Sequence, residues 1–220
     1  MQGPRSDDVL EALALPRGGG YMAFEDAPFQ DASGAQAPVR VCRTGYTGER
    51  GYELVCDAEA APALWDAVVA AGGPLGLVPC GLGARDTLRT EMGYALHGQD
   101  IGPEVTPVQA RLGWAVGWDK GAFWGREVLV AERQRGPVRT LRGLLAAGRG
   151  IPRPGMMVHG PSGHPAGEVT SGTFSPTLRT GVGLALLDSA VADGAEVTVD
   201  VRGRAQAFTV TRPPFVPSHV

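Results

Sequence analysis

The chain has 220 residues and a formal net charge of −3, with 43% hydrophobic and 20% charged residues. These proportions are ordinary for a globular protein and exclude wholesale disorder. The small negative charge argues against a broad basic surface for nucleic acid or a membrane. Three cysteines without a CxxC pair and four dispersed histidines argue against a disulfide framework and predict no metal site. No apolar run approaches the ~18 residues of a membrane helix, so we expect a cytoplasmic protein.

The first part of the chain mixes helices with strands. A helix is predicted at about 6–14, where apolar residues recur at helical spacing. Residues 25–37 have the composition of turns and loop. Residues 38–43 and 52–56 are rich in β-branched residues and alternate in polarity. We expect these two segments to form a hairpin-like pair around the glycine-rich turn between them.

The middle of the chain contains further helical patterns. Helices are predicted at about 60–71, 82–92 and 125–134. A long polar, glycine-rich connection is expected at 97–113, and the sequence Trp-Ala-Val-Gly-Trp at 114–118 predicts a short strand. Three tryptophans in this region are expected in the core or at a domain interface. They are Trp114, Trp118 and Trp124.

The residue pattern of the sequence changes after Gly136 and Pro137. Short β-rich segments then follow one another, separated by Gly, Pro and Asp, at about 139–146, 155–159, 164–170, 182–187, 195–201 and 205–212. This density of strands predicts a small antiparallel barrel or sandwich. The fold class is therefore α+β followed by a small β-barrel, with expected domains at 1–135 and 136–220.

The densest candidate for a binding site is the segment RTGYTGERGYE at 43–53. Its glycines permit positive φ and close approach of a ligand to the backbone. Tyr46 supplies an aromatic face and Glu53 a carboxylate, a combination that suits a flat heterocycle carrying an amino group and a ring N–H. An ordinary hairpin with a solvated acidic turn is the alternative from spacing alone.

A second candidate is CGLGARDTLR at 80–89. Arg85 and Arg89 are four residues apart, so they share a helix face and would present guanidinium groups to an anion. The alternative is a surface helix with a charge network among Arg85, Asp86 and Arg89. The glycines lack the full GxGxxG pattern after a strand, so a dinucleotide site is not supported.

A third candidate is GEVTSGTFSP at 167–176, which is rich in hydroxyl groups. Ser171 does not lie in a GxSxG elbow, and no histidine follows at a telling distance, so the pattern gives little support to hydrolase chemistry. The alternative is a strand that ends in a turn stabilised by Ser and Thr side chains.

Taken together, these segments resemble the aminomethyltransferase family, the T-proteins of the glycine cleavage system. The resemblance rests on the order of seven motifs along nearly the whole chain. They are RTGYTGERGYE at 43–53, CGLGARDTLR at 80–89, LGWAV at 112–116, GRE at 125–127, GIPR at 150–153, GEVTSGTFSPTL at 167–178 and PPFV at 213–216.

The resemblance implies an enzyme that moves a one-carbon unit from the aminomethylated lipoyl arm of the H-protein to tetrahydrofolate, with release of ammonia. It implies folate contacts from Tyr46 and Glu53 and a substrate contact from Arg85. Family members carry a further segment before the region that resembles Met1, and that segment holds the catalytic aspartate. No catalytic residue is therefore assigned here, and the chain is expected to be an N-terminally truncated portion that is inactive alone.

Two alternatives remain open at the level of sequence. Dimethylglycine and sarcosine dehydrogenases carry a similar folate-binding C-terminal portion. A non-catalytic remnant that acts as a binding or structural module is the other possibility. A related iron–sulfur-assembly protein shows a cysteine in its KGCYxGQE motif, and the turn here lacks that cysteine.

Overall fold

The computed structural model describes residues 1–220. The chain has two compact units, residues 1–85 with 218–220 and residues 86–217. The domain boundary near residue 136 stays a prediction. None of the helices is long and apolar enough to cross a membrane.

The first unit is a three-stranded antiparallel sheet with helices. Its elements in chain order are α1 (Ser6–Ala12), β1 (Phe24–Gln30), β2 (Gln36–Cys42), β3 (Glu53–Cys56) and α2 (Ala61–Gly72), followed by a 3₁₀ turn at Gly73–Leu75. Both helices and the pairing of β2 with β3 confirm the predictions. The prediction of a loop at 25–37 is wrong, because β1 continues to Gln30 and β2 begins at Gln36.

The sequence did not predict strand β1, because Phe29 is its one buried residue and no alternating apolar pattern results. Strand β1 is stabilised by its pairing with β2, in which Ala27 lies opposite Val39. A strand that depends on a neighbouring strand has no hydrophobic pattern of its own by which the sequence would predict it. Strand β2 is central, since Val39 also pairs with Cys56 of β3. The core beneath this sheet consists of Leu10, Leu15, Phe29, Val39, Val41, Tyr52 and Leu64.

The second unit contains a closed six-stranded antiparallel barrel. Its strands are β4 (Arg139–Ala146), β5 (Met157–His159), β6 (Pro165–Ser175), β7 (Thr180–Asp188), β8 (Glu196–Asp200) and β9 (Ala205–Thr211). They pair in the order β4-β7-β6-β5-β8-β9. The predicted strands and the predicted barrel are confirmed.

Strand β7 is buried on both of its faces. Ala185 and Leu187 point into the barrel core. Leu184 and Leu186 belong to a second cluster that includes Phe215. This two-sided burial explains why β7 is a continuous apolar run instead of an alternating one.

Two further helices are α3 (Leu82–Glu91) and α4 (Arg126–Arg135), both near their predicted bounds. The strand predicted at 114–118 is wrong, because Gly113–Ala115 is a 3₁₀ turn. The indole N–H of Trp118 donates to the Gly113 carbonyl at 2.6 Å and closes the segment on itself. Trp114 is 83% exposed and Trp124 101% exposed, so neither is in the core.

Candidate functional site

The glycine-rich turn between β2 and β3 is held by the first residues of the chain. Gln2 and Gly51 form an antiparallel bridge. On either side of this bridge, the Gly3 amide donates to the Arg50 carbonyl at 2.7 Å, and the Tyr52 amide donates to the Met1 carbonyl at 2.8 Å. The turn is therefore a structured support for the side chains it carries.

The glycines of this turn serve two purposes. Gly48 has φ +76°, a left-handed conformation that disfavours a side chain. A Cβ at Gly45 would lie 2.2 Å from Gln2 Oε1, and a Cβ at Gly51 would lie 2.5 Å from the Met1 carbonyl oxygen. The close approach at Gly45 and Gly51 is thus made by the chain's own N-terminal residues.

The structure brings two of the predicted site residues together. The Arg85 guanidinium carbon lies 4.7 Å from the centre of the Tyr46 ring, within range of a cation–π interaction. Tyr46 comes from the turn and Arg85 from α3, so two motifs far apart in the sequence meet. The guanidinium is planar and lies over the ring, so it covers one face of Tyr46 with a second flat group.

Glu53, the third predicted site residue, begins β3 and is exposed. The Thr44 hydroxyl donates a hydrogen bond to its carboxylate. Thr44 lies two residues before Tyr46, so the carboxylate is tied to the same turn. Glu53 opposes Cys42 in the sheet register, at the strand ends where the turn begins.

The side chain of the preceding residue, Tyr52, is on the opposite face of the chain from that of Glu53 and is buried. Its hydroxyl donates to Asp7 at 2.5 Å and accepts from the Gly18 amide at 2.9 Å. Arg50 also donates to Asp7, at 2.8 Å. Burial alone would raise the pKa of Asp7, but the hydrogen bonds from Arg50 and Tyr52 outweigh burial and lower it.

The C-terminal residues of the first unit also contact the turn. The His219 amide donates to the Gly48 carbonyl at 2.8 Å. The His219 ring nitrogen Nδ1 lies 2.7 Å from a Glu49 carboxylate oxygen. The turn therefore contacts residues near both ends of the chain, Gln2 and His219.

The second candidate motif divides into two different roles. Arg85 belongs to the first unit and contacts Tyr46, whereas Arg89 belongs to the second unit and is buried. All five N–H groups of Arg89 are used within that unit. The acceptors are Asp86, Tyr94 O, Gln99, Asp100 and Ser171. Arg89 therefore has no donor left for an anion. The prediction that Arg85 and Arg89 together present guanidinium groups to an anion is wrong.

The third candidate motif supplies partners for α3. Ser171, Thr173 and Ser175 alternate along β6 and so share one face. Ser171 accepts from Arg89 at 2.8 Å, and the Thr173 hydroxyl lies 3.1 Å from that of Thr87. Ser175 donates to the buried carboxylate of Glu91. The hydroxyl groups of this motif therefore have structural partners within the unit, in line with the alternative interpretation of the motif as a strand that ends in a turn.

Sequence reasoning missed Asp100, which is fully buried. It accepts from Arg89 at 2.7 Å, from the Leu96 amide at 2.8 Å and from Thr170 at 2.5 Å. Asp100 lies in a stretch read only as a polar connection. The available signal was the alternation of hydroxyl residues in β6, which indicates a polar partner for one strand face.

Two family models match the chain. The GCVT N-terminal domain matches residues 1–120, and the glycine cleavage T-protein C-terminal barrel domain matches residues 139–217. These matches and the observed barrel define an α+β chain of the kind found in glycine cleavage T-proteins. The chain belongs to the glycine cleavage T-protein family.

Several relatives share its sequence over most of its length. An aminomethyltransferase of Frankia alni is 62% identical over 218 residues, covering 99% of this chain, and one of Mycobacterium tuberculosis is 56% identical and covers 98%. The chain spans 58% of the length of these relatives. A crystal structure of aminomethyltransferase T from Bartonella henselae is 34% identical, with a TM-score of 0.86, and the match covers 99% of this chain and 59% of that one.

Proposed function

We propose that this chain forms part of a tetrahydrofolate-dependent aminomethyltransferase. Such an enzyme transfers the methylene carbon of an aminomethyl group, carried on the lipoyl arm of an H-protein, to tetrahydrofolate, and the amine leaves as ammonia. Support comes from membership of the T-protein family and from relatives named aminomethyltransferase. The chain covers 58% of the length of those relatives, so the activity of the whole enzyme is proposed here for a protein of which this chain is a part.

The observation that carries the proposal is the contact between Arg85 and Tyr46 at 4.7 Å. A pterin is a flat heterocycle with an amino group and ring N–H groups. The stacked phenol and guanidinium provide a flat wall for it. The exposed Glu53 carboxylate, tied to the same turn through Thr44, accepts two hydrogen bonds from the pterin edge.

In this arrangement the chain's own residues bind and orient the folate. Tyr46 and Arg85 set the plane of the ring, and Glu53 sets its rotation within that plane. Orientation of two substrates accounts for a large part of the catalysis of a group transfer. No residue of this chain is assigned to proton transfer.

Calorimetric titration of the 220-residue chain with tetrahydrofolate tests the binding half of the proposal. We expect saturable binding that Tyr46→Ala weakens at least tenfold, because the variant removes the ring on which the pterin stacks. Tyr21→Phe is the control, since Tyr21 is an exposed tyrosine outside the turn. Equal tetrahydrofolate affinities of the parent chain and Tyr46→Ala would show that Tyr46 is not part of a folate site.

Turnover separates an enzyme from a non-catalytic remnant. The chain is mixed with tetrahydrofolate and an aminomethylated lipoyl carrier, and ammonia and methylenetetrahydrofolate are quantified. Equal amounts of both products are expected from an aminomethyltransferase. Folate binding without turnover is the result expected if this chain is a portion that is inactive alone, whereas turnover would show that it is catalytic by itself.

A further inference from the structure

A cluster of arginines lies on the second unit. Arg142 is on β4, Arg212 directly follows β9, and Arg111 lies in the segment before α4. The carboxylate of Asp193, from the turn between β7 and β8, lies among them. Two guanidinium groups, those of Arg111 and Arg142, thus share one carboxylate, and the charge of Arg212 acts on Arg111.

Main-chain hydrogen bonds bring these residues together. The Leu141 amide donates to the Gln109 carbonyl at 2.8 Å, which holds the Arg111 segment against β4. The Gly194 amide donates to the Val210 carbonyl at 2.7 Å, which holds the Asp193 turn against β9. The register that pairs Gly143 with Thr211 places Arg142 beside Arg212.

The carboxylate satisfies only part of this charge. Arg142 Nη1 lies 2.5 Å from Asp193 Oδ1, whereas Arg111 Nη1 is 4.0 Å from the same oxygen. Arg111 Nη1 and Arg142 Nε are both buried without a hydrogen-bond partner. Unpaired buried donors on charged groups are costly, and a bound acceptor would relieve that cost.

The neighbouring charges are also unfavourable to one another. Burial lowers the pKa of Arg111, Asp193 partly restores it, and Arg212 and Arg142 lower it further. Like charges at adjacent cross-strand positions destabilise a sheet. Arg111 in addition has φ +60°, a conformation that non-glycine residues rarely adopt.

We propose that Arg111, Arg142 and Arg212, arranged around Asp193, bind a small oxyanion of the phosphate class. Planar guanidinium groups match the oxygens of such an anion, and several of them together neutralise its charge. The Arg212 residue is exposed, so an anion reaches the cluster from the Arg212 side, away from the Asp193 carboxylate that would repel it. The free ion and the phosphate group of a small metabolite share this chemistry.

The test is a titration of the 220-residue chain with inorganic phosphate at constant ionic strength. We expect a saturable rise in melting temperature that chloride does not reproduce, since a ligand that binds the folded state stabilises it. Phosphate should also shift the Nε–H signal of Arg142 in an arginine-detected NMR spectrum. A response equal to that of chloride, without the shift, would overturn the proposal.

Arg111→Asn removes the charge at a position where asparagine tolerates the left-handed backbone. The phosphate Kd should rise about tenfold or more, as expected for the loss of a charge-assisted hydrogen bond. Arg179→Asn is the matched control, because Arg179 is an exposed arginine with φ +56° in the turn between β6 and β7. Arg111→Lys keeps the charge without the planar fork and should give an intermediate Kd.

Equal Kd values for Arg111→Asn and Arg179→Asn would place any bound phosphate elsewhere and overturn the assignment. A phenyl phosphate titration distinguishes the two sources of the anion. Affinity similar to that of inorganic phosphate supports an open site that accepts a metabolite's phosphate group. Much weaker affinity supports a site for the free ion.

Discussion

Arg89 and Asp100 form an ion pair with 2.7 Å between Nη1 and Oδ2, and neither side chain reaches solvent. Asp100 also accepts from the Leu96 amide and from Thr170 of β6. The pair thereby links α3, the segment after it and the barrel strand β6. Such a pair has a large desolvation penalty, which its many hydrogen bonds offset.

Asp100→Asn should strongly destabilise the chain. The amide preserves the shape of the side chain but leaves the buried Arg89 without its main countercharge. Loss of one partner of a buried pair costs about 3–5 kcal/mol in free energy of unfolding. Urea denaturation measures this loss. Asp119→Asn, at an exposed aspartate, is the control and should change stability by less than about 0.5 kcal/mol. A loss below about 1 kcal/mol at Asp100 would show that the network is not a major source of stability.

Much of the fold was predictable because its signals are local. The barrel strands are short β-rich segments separated by turn residues, and β4 was predicted at its observed bounds. Strand β1 was missed because its order depends on β2 and not on its own burial. The segment 114–118 was misread because aromatic residues favour strands, whereas here Trp118 closes a turn through its indole N–H.

The site was predictable only in part. Arg85 and Tyr46 were singled out separately, and their contact required the structure, since no spacing rule connects a turn to a distant helix. Arg89 looked equivalent to Arg85 by helical spacing, yet it is buried by partners on β6 and near Asp100. Sequence shows which residues share a face of one element, but it does not show which other element covers that face.

Gly172→Ala should destabilise the barrel. A Cβ at Gly172 would lie 2.2 Å from the Pro152 carbonyl oxygen, a backbone atom that cannot move aside cheaply. Overpacking of this kind costs about 1–3 kcal/mol. Gly148→Ala is the matched control, because a Cβ there meets nothing within 4 Å and its φ is not positive. Thermal unfolding of the two variants measures the difference, and equal melting temperatures would contradict the close approach.

The contacts of Asp7 should make stability depend on acidic pH. Its pKa in the folded chain lies below the ordinary value of 3.8, because Arg50 and Tyr52 favour the charged form. A lowered folded-state pKa means that the stabilisation is present above pH 3.8 and is lost as pH falls through the folded-state pKa. The parent chain should therefore exceed Asp7→Asn in stability at neutral pH, and the gap should shrink in acid.

Urea denaturation from pH 6 down to about 2.5 measures that gap. Asp57→Asn, at an exposed aspartate of the same unit, reports the effect of removing a carboxylate without these contacts. The difference between the two variants isolates the contribution of Arg50 and Tyr52. A gap for Asp7→Asn that stays constant throughout would contradict the lowered pKa.

Glu53→Gln and Arg85→Lys should weaken tetrahydrofolate binding for different reasons. Glutamine removes a charged acceptor, and a charge-assisted hydrogen bond contributes about 1.5–3 kcal/mol, or roughly 10- to 100-fold in Kd. Lysine keeps the charge of Arg85 but loses the planar group that lies 4.7 Å from the Tyr46 ring. Calorimetric titration gives both Kd values, and Glu59→Gln, at an exposed glutamate outside the turn, is the control. Because Glu53 and Arg85 are tested in folded protein, each variant should first match the parent chain in melting temperature. If Glu53→Gln binds tetrahydrofolate as tightly as the parent, the carboxylate does not face the pterin edge, and Tyr46 and Arg85 alone would define the site.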